Sequence, residues 1–459
     1  MNLTESQVLE FTSHSYGTWN WQKAWHAPLV ITDAEGIYFY DDKGKGYIDF
    51  SSQFMCSNLG HKNQAITEAI VKQAEKLPYA APIFATETAM AAVEALHSVV
   101  PEGLSKFFFS TSGAEANDAA LVLTRQSKTP VYKIISRYHS YHGATPGAMA
   151  FTGDYRRWPL ERVGYTVGGV RFAPDCYCYR CPFDQTYPQC GVQCAKYLDY
   201  MIKEEGNVAA VIMEPIVGSN GRLVPPPEYY PMVRKICDDN DALLIADEVM
   251  TGWFRTGPAF AMENWNVQPD IMTTAKGCTS AYTPVGITMT TKEVSDYFED
   301  EFFCHGHTYA YHALALAAIP AAVSEYKKLM ESGLPQKISQ HLKQRLYELA
   351  DRHDCIGDVR GLGHFWALEL VRNRETKEPF NVKADKLDGK PLMAAKIAGD
   401  AMANGLWMVS WYDSLMIAPP LIITEQQVDE AIAILEKSLD IGDREAEKTG
   451  EPVSRSSEF

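Results

Sequence analysis

Apolar residues follow two rhythms along most of this chain. Short apolar runs recur at 106–110, 131–136, 209–215, 242–246 and 271–275, each bounded by polar or turn-forming residues. Runs of this kind predict strands of a mostly parallel sheet, buried on both faces. Between them the spacing turns helical. Ile66, Ile70, Val71 and Ala74 share one face of 63–76, and helices are also predicted over 86–99, from 111 to about 125, and over 231–240. Ahead of these, 37–50 reads as a hairpin: Tyr38, Phe39 and Tyr40 enter the turn Asp41-Asp42-Lys43-Gly44, and Tyr47-Ile48-Asp49-Phe50 returns. From about Ala313 a long helix is expected. Amphipathic helices follow at 339–351, 393–404 and 425–439, with strands at 365–370 and 415–417 and a loop at 358–363. This order predicts an α/β fold, a large domain with a mostly parallel central sheet flanked by helices and then a small α+β domain.

Candidate chemistry sits at the ends of the apolar runs. The run 242–246 ends in Asp247-Glu248, at the carboxyl edge where open α/β sheets keep their ligand crevice. The run 271–275 ends at Lys276-Gly277. A lysine held in apolar surroundings loses its proton and attacks carbonyls. An aspartate nearby can pair with a protonated ring nitrogen. Those two groups are what a pyridoxal phosphate enzyme needs, although spacing alone also fits a helix-capping aspartate and a solvated lysine. The strand at 106–110 leads into Thr111-Ser112-Gly113-Ala114-Glu115-Ala116-Asn117, small residues opening a helix. Free amides and the helix dipole make such a start a phosphate cradle.

The run from Asp247 through Val249, Thr251-Gly252-Trp253-Phe254-Arg255-Thr256 to Gly257, followed by Ala275-Lys276-Gly277, resembles the signature of class III (omega) aminotransferases, fold-type-I pyridoxal phosphate enzymes. The likeness extends from about Tyr38 to Glu436. It implies that Lys276 holds pyridoxal 5'-phosphate and moves the proton, with Asp247 at the ring nitrogen and Val249 against one ring face. It places Ser112, Gly113 and Ala114 at the phosphate, Tyr141 stacked on the ring beside His142, and Glu214 behind the cofactor. Thr308 would reach the neighbouring subunit's phosphate, which implies a homodimer or paired dimers. Here Thr308 leads into Ala310-Tyr311-His312-Ala313, not the family's usual Gly then His/Asn-Pro, so the loop's local geometry is expected to differ. The resemblance also divides the chain: 1–65 as a segment packing with the small domain and pocket, 66–325 as the large cofactor-binding domain, 326–441 as the small domain, and 442–459 as a flexible, charged tail.

Substrate residues depart from the family. The arginine it carries before the Pro-Pro turn is Met416 here, a second placement falls near Val409, and the one after Tyr-His-Gly is Ala144. Another cation must then bind the keto acid, with Arg156, Arg157 and Arg162 as candidates. Trp21 in an aromatic N-terminal cluster (Tyr16, Trp19, Trp21, Trp25), Phe54 beside Cys56, and Trp411 are expected to wall the pocket. An omega-amino donor with a distal anion fits best, such as taurine or β-alanine, passing its amino group to 2-oxoglutarate or pyruvate by ping-pong chemistry. The chain as a whole, with its cysteine-rich insert, is similar to taurine aminotransferases. The rivals are an amine–pyruvate transaminase acting on aromatic or aliphatic amines, and an aminomutase or decarboxylase that needs no keto acid.

Composition narrows this further. A formal net charge of −16 argues against nucleic acid and anionic membranes as partners. No apolar run has the length of a membrane span, and the start shows no signal-peptide pattern. Ten cysteines in such a chain fit a reducing cytoplasm. Five of them, Cys176, Cys178, Cys181, Cys190 and Cys194, fall within twenty residues; Cys178-x-x-Cys181 and Cys190-x-x-x-Cys194 have spacings that zinc could use, but reduced thiols packing a turn-rich loop are the favoured reading, and no metal is assigned.

Overall fold

The computed structural model describes residues 4–458, so residues 1–3 and 459 of the terminal segments considered above lie outside it. Seven strands form the central sheet: β1 (Leu104–Ser110), β2 (Lys133–Arg137), β3 (Val170–Ala173), β4 (Val208–Met213), β5 (Leu243–Asp247), β6 (Ile271–Thr274) and β7 (Gly286–Thr291). Their order is β1-β7-β6-β5-β4-β2-β3. Only β7 runs against its neighbours, β1 and β6; the other pairings are parallel. The other six strands therefore end on one edge, and that edge receives Ser112, Tyr141, Glu214, Asp247 and Lys276. Every residue of β4 and β6 is buried, as apolar runs without alternation require.

The 37–50 hairpin forms from Tyr38–Asp41 and Gly46–Asp49. It carries two partners that the pattern did not announce, Ile31–Glu35 on one side and Leu406–Trp407, in parallel, on the other. This sheet joins the N-terminal segment to the C-terminal region, where Ile48 and Phe50 share one core with Leu346, Leu368 and Leu435.

Three stretches differ from expectation. Residues 358–363, expected as a loop, belong to the strand Ile356–Leu362, paired antiparallel with Phe365–Asn373. Asp358 and Arg360 disguise it. Both are buried, with Arg360 paired to Asp358 at 2.7 Å and to Glu369 at 2.6 Å, so polar residues occupy core positions. The helix from Ala313 is interrupted at Ala317, giving Ala313–Leu316 and Ala318–Glu331. Pro320 lacks the amide that would bond residue 316. The segment 442–459, expected as a flexible tail, is docked. The last helix continues to Asp443, and Ser454 bridges to Asp358. The Val359 amide donates to the Ser454 carbonyl and the Ser454 amide to that of Gly357, both at 2.9 Å. The strand Ile356–Leu362 is an edge strand, and the tail satisfies its open backbone. A polar composition does not reveal such backbone pairing.

No helix among the described residues is long and apolar enough to cross a membrane.

Candidate active site

The carboxylate that ends β5 is buried and held from three sides. Asp247 Oδ2 accepts from Asn117 Nδ2 at 2.8 Å and lies 2.7 Å from His142 Nδ1; Oδ1 accepts from the Val249 amide at 3.0 Å. Asn117 is fixed in turn: its Nδ2 also donates to the His142 carbonyl at 2.7 Å, and its Oδ1 accepts from Thr273 Oγ1 of β6 at 2.7 Å. One helix, the strand β6 behind it and the loops that follow β2 and β5 thus clamp a single carboxylate. Sequence reasoning missed Asn117 and Thr273. The signal for Asn117 was an amide one turn inside a helix of small residues, where asparagine is unfavourable unless it has a partner.

The helix Gly113–Ser127 begins at the end of β1, and Ser112 caps it by accepting from the Glu115 amide at 3.2 Å. Its first-turn amides have no intrahelical acceptor. Two glycines set the space in front of them. A Cβ on Gly113 would meet Val249 Cγ2 at 2.8 Å. Gly143 has φ +133°, and a Cβ there would meet the Ala114 Cβ at 2.5 Å. The turn Tyr141-His142-Gly143 therefore packs directly on the helix start, and Val249 closes the gap toward Asp247.

Lys276 follows β6 with φ +46°, the left-handed region that non-glycine residues seldom occupy outside functional or over-determined sites. Burial pushes its ammonium pKa down; the charges of Cys56, Asp247 and Glu214 oppose this, and that of Arg222 reinforces it. Glu214, just after β4, receives the Tyr141 amide on Oε1 at 2.9 Å and the Gly218 amide on Oε2 at 2.8 Å, while burial raises its carboxyl pKa.

Of the predicted site residues, Ser112, Gly113, Ala114, Tyr141, His142, Glu214, Asp247, Val249 and Lys276 converge on this edge. The pocket-wall residues divide. Arg156 is present but engaged: Nε donates to Asp154 at 2.8 Å, and its guanidinium lies 3.6 Å from the Tyr141 ring centre and 4.8 Å from that of Trp411. Trp411 Nε1 donates to Asn220 Oδ1 at 2.8 Å. Trp19, rather than Trp21, packs edge-on against Tyr141, at 5.8 Å. The Trp21 ring instead meets Lys23 and lies beside Gly389. Arg162 is exposed at the end of the short helix Arg157–Glu161, and Arg157 pairs with Glu161. Phe54 is 63% exposed, with no ring contact among the described residues. Thr308 is also exposed, and its carbonyl accepts from Tyr79 Oη at 2.9 Å.

Burial pushes the Cys176 and Cys178 thiols up to about 12, so they stay protonated. Among the described residues the ligand-spaced group of three is His353, Asp440 and Asp443, and no three thiols of the cysteine-rich loop meet that spacing.

This arrangement fits pyridoxal phosphate. A glycine-cleared helix start suits the phosphate, a clamped carboxylate suits a pyridinium N–H, and a lysine of lowered pKa suits an aldehyde. The comparisons with known proteins agree. The family model for class-III aminotransferases matches residues 21–439. The chain is 34% identical to a putrescine–pyruvate aminotransferase of Pseudomonas aeruginosa over 426 residues, 90% of each chain. It is also 34% identical to a taurine–pyruvate aminotransferase of Bilophila wadsworthia, over 90% of this chain and 92% of that one. The solved taurine:2-oxoglutarate aminotransferase of Bifidobacterium kashiwanohense, in complex with pyridoxal phosphate and glutamate, superposes with a TM-score of 0.90 at 35% identity, covering 97% of this chain and 99% of that chain. With this fold, this site and a family match over nearly its whole length, the chain belongs to the class-III aminotransferases, which work with pyridoxal phosphate.

Proposed function

We propose that this aminotransferase takes its amino group from an omega-amino acid or omega-aminosulfonate, with β-alanine and taurine as the simplest members, and passes it to pyruvate or 2-oxoglutarate. We assign Lys276 and Asp247 as its catalytic pair. The observation that carries the catalytic assignment is the buried lysine of lowered pKa beside a carboxylate locked by Asn117 and His142. Bound pyridoxal phosphate supplies the electron sink for bond breaking at the amine-bearing carbon. Lys276 Nζ, whose hold on its proton is weakened by burial, would anchor the cofactor at rest and carry the proton to and from that carbon. Asp247, an acceptor fixed on both oxygens, keeps the ring nitrogen protonated. Ser112, Gly113 and Ala114 take the phosphate, Val249 and Tyr141 cover the ring faces, and Glu214 holds the Tyr141 turn in place.

Relatives named for taurine support the donor, and they share 34–35% identity with this chain. The putrescine–pyruvate relative is equally similar, so an amine donor without a distal anion is the competing reading. We further propose a homodimer in a reducing cytoplasm, with Thr308 at the partner's phosphate. The exposed position of Thr308 and ten cysteines without a disulfide support this.

The test is spectroscopic. The purified holoenzyme is expected to show the yellow band of lysine-bound cofactor. Taurine or β-alanine is expected to bleach it, and pyruvate or 2-oxoglutarate to restore it. Bleaching by putrescine and not by taurine would move the donor to the competing reading. Turnover without any keto acid would replace transamination by aminomutase or decarboxylase chemistry.

A further inference from the structure

Four arginines are buried among the described residues; two lie near carboxylates and a third is met by neutral acceptors. Arg360 pairs with Asp358 and Glu369. Arg137 lies 3.9 Å from Asp175. Arg255 has no acid but donates to the carbonyls of His364 and Pro419, to Ser52 Oγ and to Asn58 Oδ1. Arg222 is different. Nη1 donates to the Gly218 carbonyl at 2.8 Å, and neither Nε nor Nη2 has a hydrogen-bond partner. No carboxylate among the described residues pairs with it, and its guanidinium lies 4.5 Å from the ring centre of Phe365. Burial, reinforced by Arg255 and Arg360 and opposed by the charge of Glu214, pushes its pKa down to about 9. An unpaired guanidinium of this kind is costly to keep dry, and its two free donors form one planar edge that matches a carboxylate or sulfonate.

Its position gives that edge a use. Glu214 follows β4, the Gly218 amide donates to Glu214, and the Gly218 carbonyl receives Arg222, so the loop folds back toward the site. The Arg222 charge is felt at Lys276. Meanwhile Met416, Val409 and Ala144 stand where the resemblance to the family implies arginines, and Arg156 is committed to Asp154.

We infer that Arg222 is the anion anchor of this enzyme, with Nε and Nη2 binding the carboxylate or sulfonate of its substrates. The inference rests on the omega-amino donor proposed above and names the residue that recognises its distal charge.

Two inert anions test it without turnover: propionate and ethanesulfonate, titrated into the holoenzyme by calorimetry. Arg222→Gln is expected to weaken both about ten- to hundredfold, the range for a lost charge-assisted pair. The kcat/KM ratio of taurine over butylamine is expected to fall by a similar factor, mainly through the KM for taurine, while the cofactor band persists. Arg222→Lys is expected to recover part of the loss. Unchanged anion binding in Arg222→Gln, an equal loss with butylamine, or loss of cofactor would each overturn the assignment. If taurine is no substrate but anion binding still depends on Arg222, the anchor stands and the donor reading falls. If neither variant folds, a crystal structure of the wild type with ethanesulfonate decides. A sulfonate on Nε and Nη2 supports the anchor, and a sulfonate elsewhere overturns it.

Discussion

Lys276 and Asp247, the catalytic pair proposed above, are tuned by what surrounds them. Removing the amine with Lys276→Ala is expected to lower transamination at least about a thousandfold, because anchor and proton carrier are lost together. Removing a neighbour is milder. Asn117→Ala deletes one charge-assisted hydrogen bond to Asp247, and kcat is expected to fall about ten- to hundredfold with the donor KM little changed. Burial depresses the Lys276 pKa, which adds a pH prediction for the cofactor-free enzyme. Below the usual lysine pKa the unfolded chain binds this proton more readily than the folded one. Stability therefore rises with pH between the folded value and the unfolded one, near 10.5. Lys276→Met removes the titration, so its cofactor-free melting temperature is expected to exceed that of the wild type at neutral pH, by roughly 1 °C for each kcal/mol of relieved burial cost in a chain of this length. The gap is expected to close as pH approaches that upper limit. A gap that widens with pH would mean that the folded protein holds the Lys276 proton more tightly than the unfolded chain does.

At the scale of elements, the cradle depends on the backbone of the Gly113–Ser127 helix coming close to Val249. Gly113→Ala forces a Cβ to 2.8 Å from a branched side chain at the edge of the cradle. Cofactor affinity, followed by the absorbance band, is expected to drop about tenfold or more, against about 1–3 kcal/mol for overpacking of this kind. The elements that build this site were legible because buried parallel strands advertise themselves as unbroken apolar runs, so Asp247 and Lys276 could be placed at strand ends before any coordinates. Elements whose polar residues answer one another internally were not legible. Asp358 and Arg360 disguised an edge strand, and the polar segment around Ser454 concealed the strand's partner. Arg222 was passed over for a related reason. Nothing in the local pattern marks a loop arginine as buried, and only the fold leaves its donors unpaired. Trp21 and Trp19 are two residues apart, and periodicity cannot say which faces Tyr141 when the segment has no regular period. The docked tail carries its own test. Deleting 449–459 removes the Ser454 backbone bonds and the Ser456 contacts to Asp358. At about 1 kcal/mol each, the loss is expected to lower the melting temperature by several degrees.

The whole molecule leaves a good deal of apolar surface to account for. Ile83 is 85% exposed, Phe84 62%, Phe302 82% and Tyr309 59%. The Tyr309 ring meets both Tyr79 and His312, and Tyr79 hydrogen-bonds the Thr308 carbonyl, so the aromatic cluster and the residue assigned to the partner's phosphate form one continuous patch. Exposed apolar patches of this kind mark interfaces. The formal charge of −16 opposes self-association at long range, so a stable dimer has to draw its energy from burial at contact and is expected to tighten slightly as salt rises. In solution the mass is expected to be at least twice 51.3 kDa. Ile83→Asp combined with Phe84→Asp is expected to give a monomer. If Thr308 completes the phosphate site, that monomer loses cofactor as well as mass, whereas Thr308→Ala keeps the mass and only loosens the cofactor. Mass by light scattering, read beside the cofactor band, separates the two effects. A wild type that is monomeric and fully active would show that the site is complete within one chain, and that Thr308 serves only the surface it lies on.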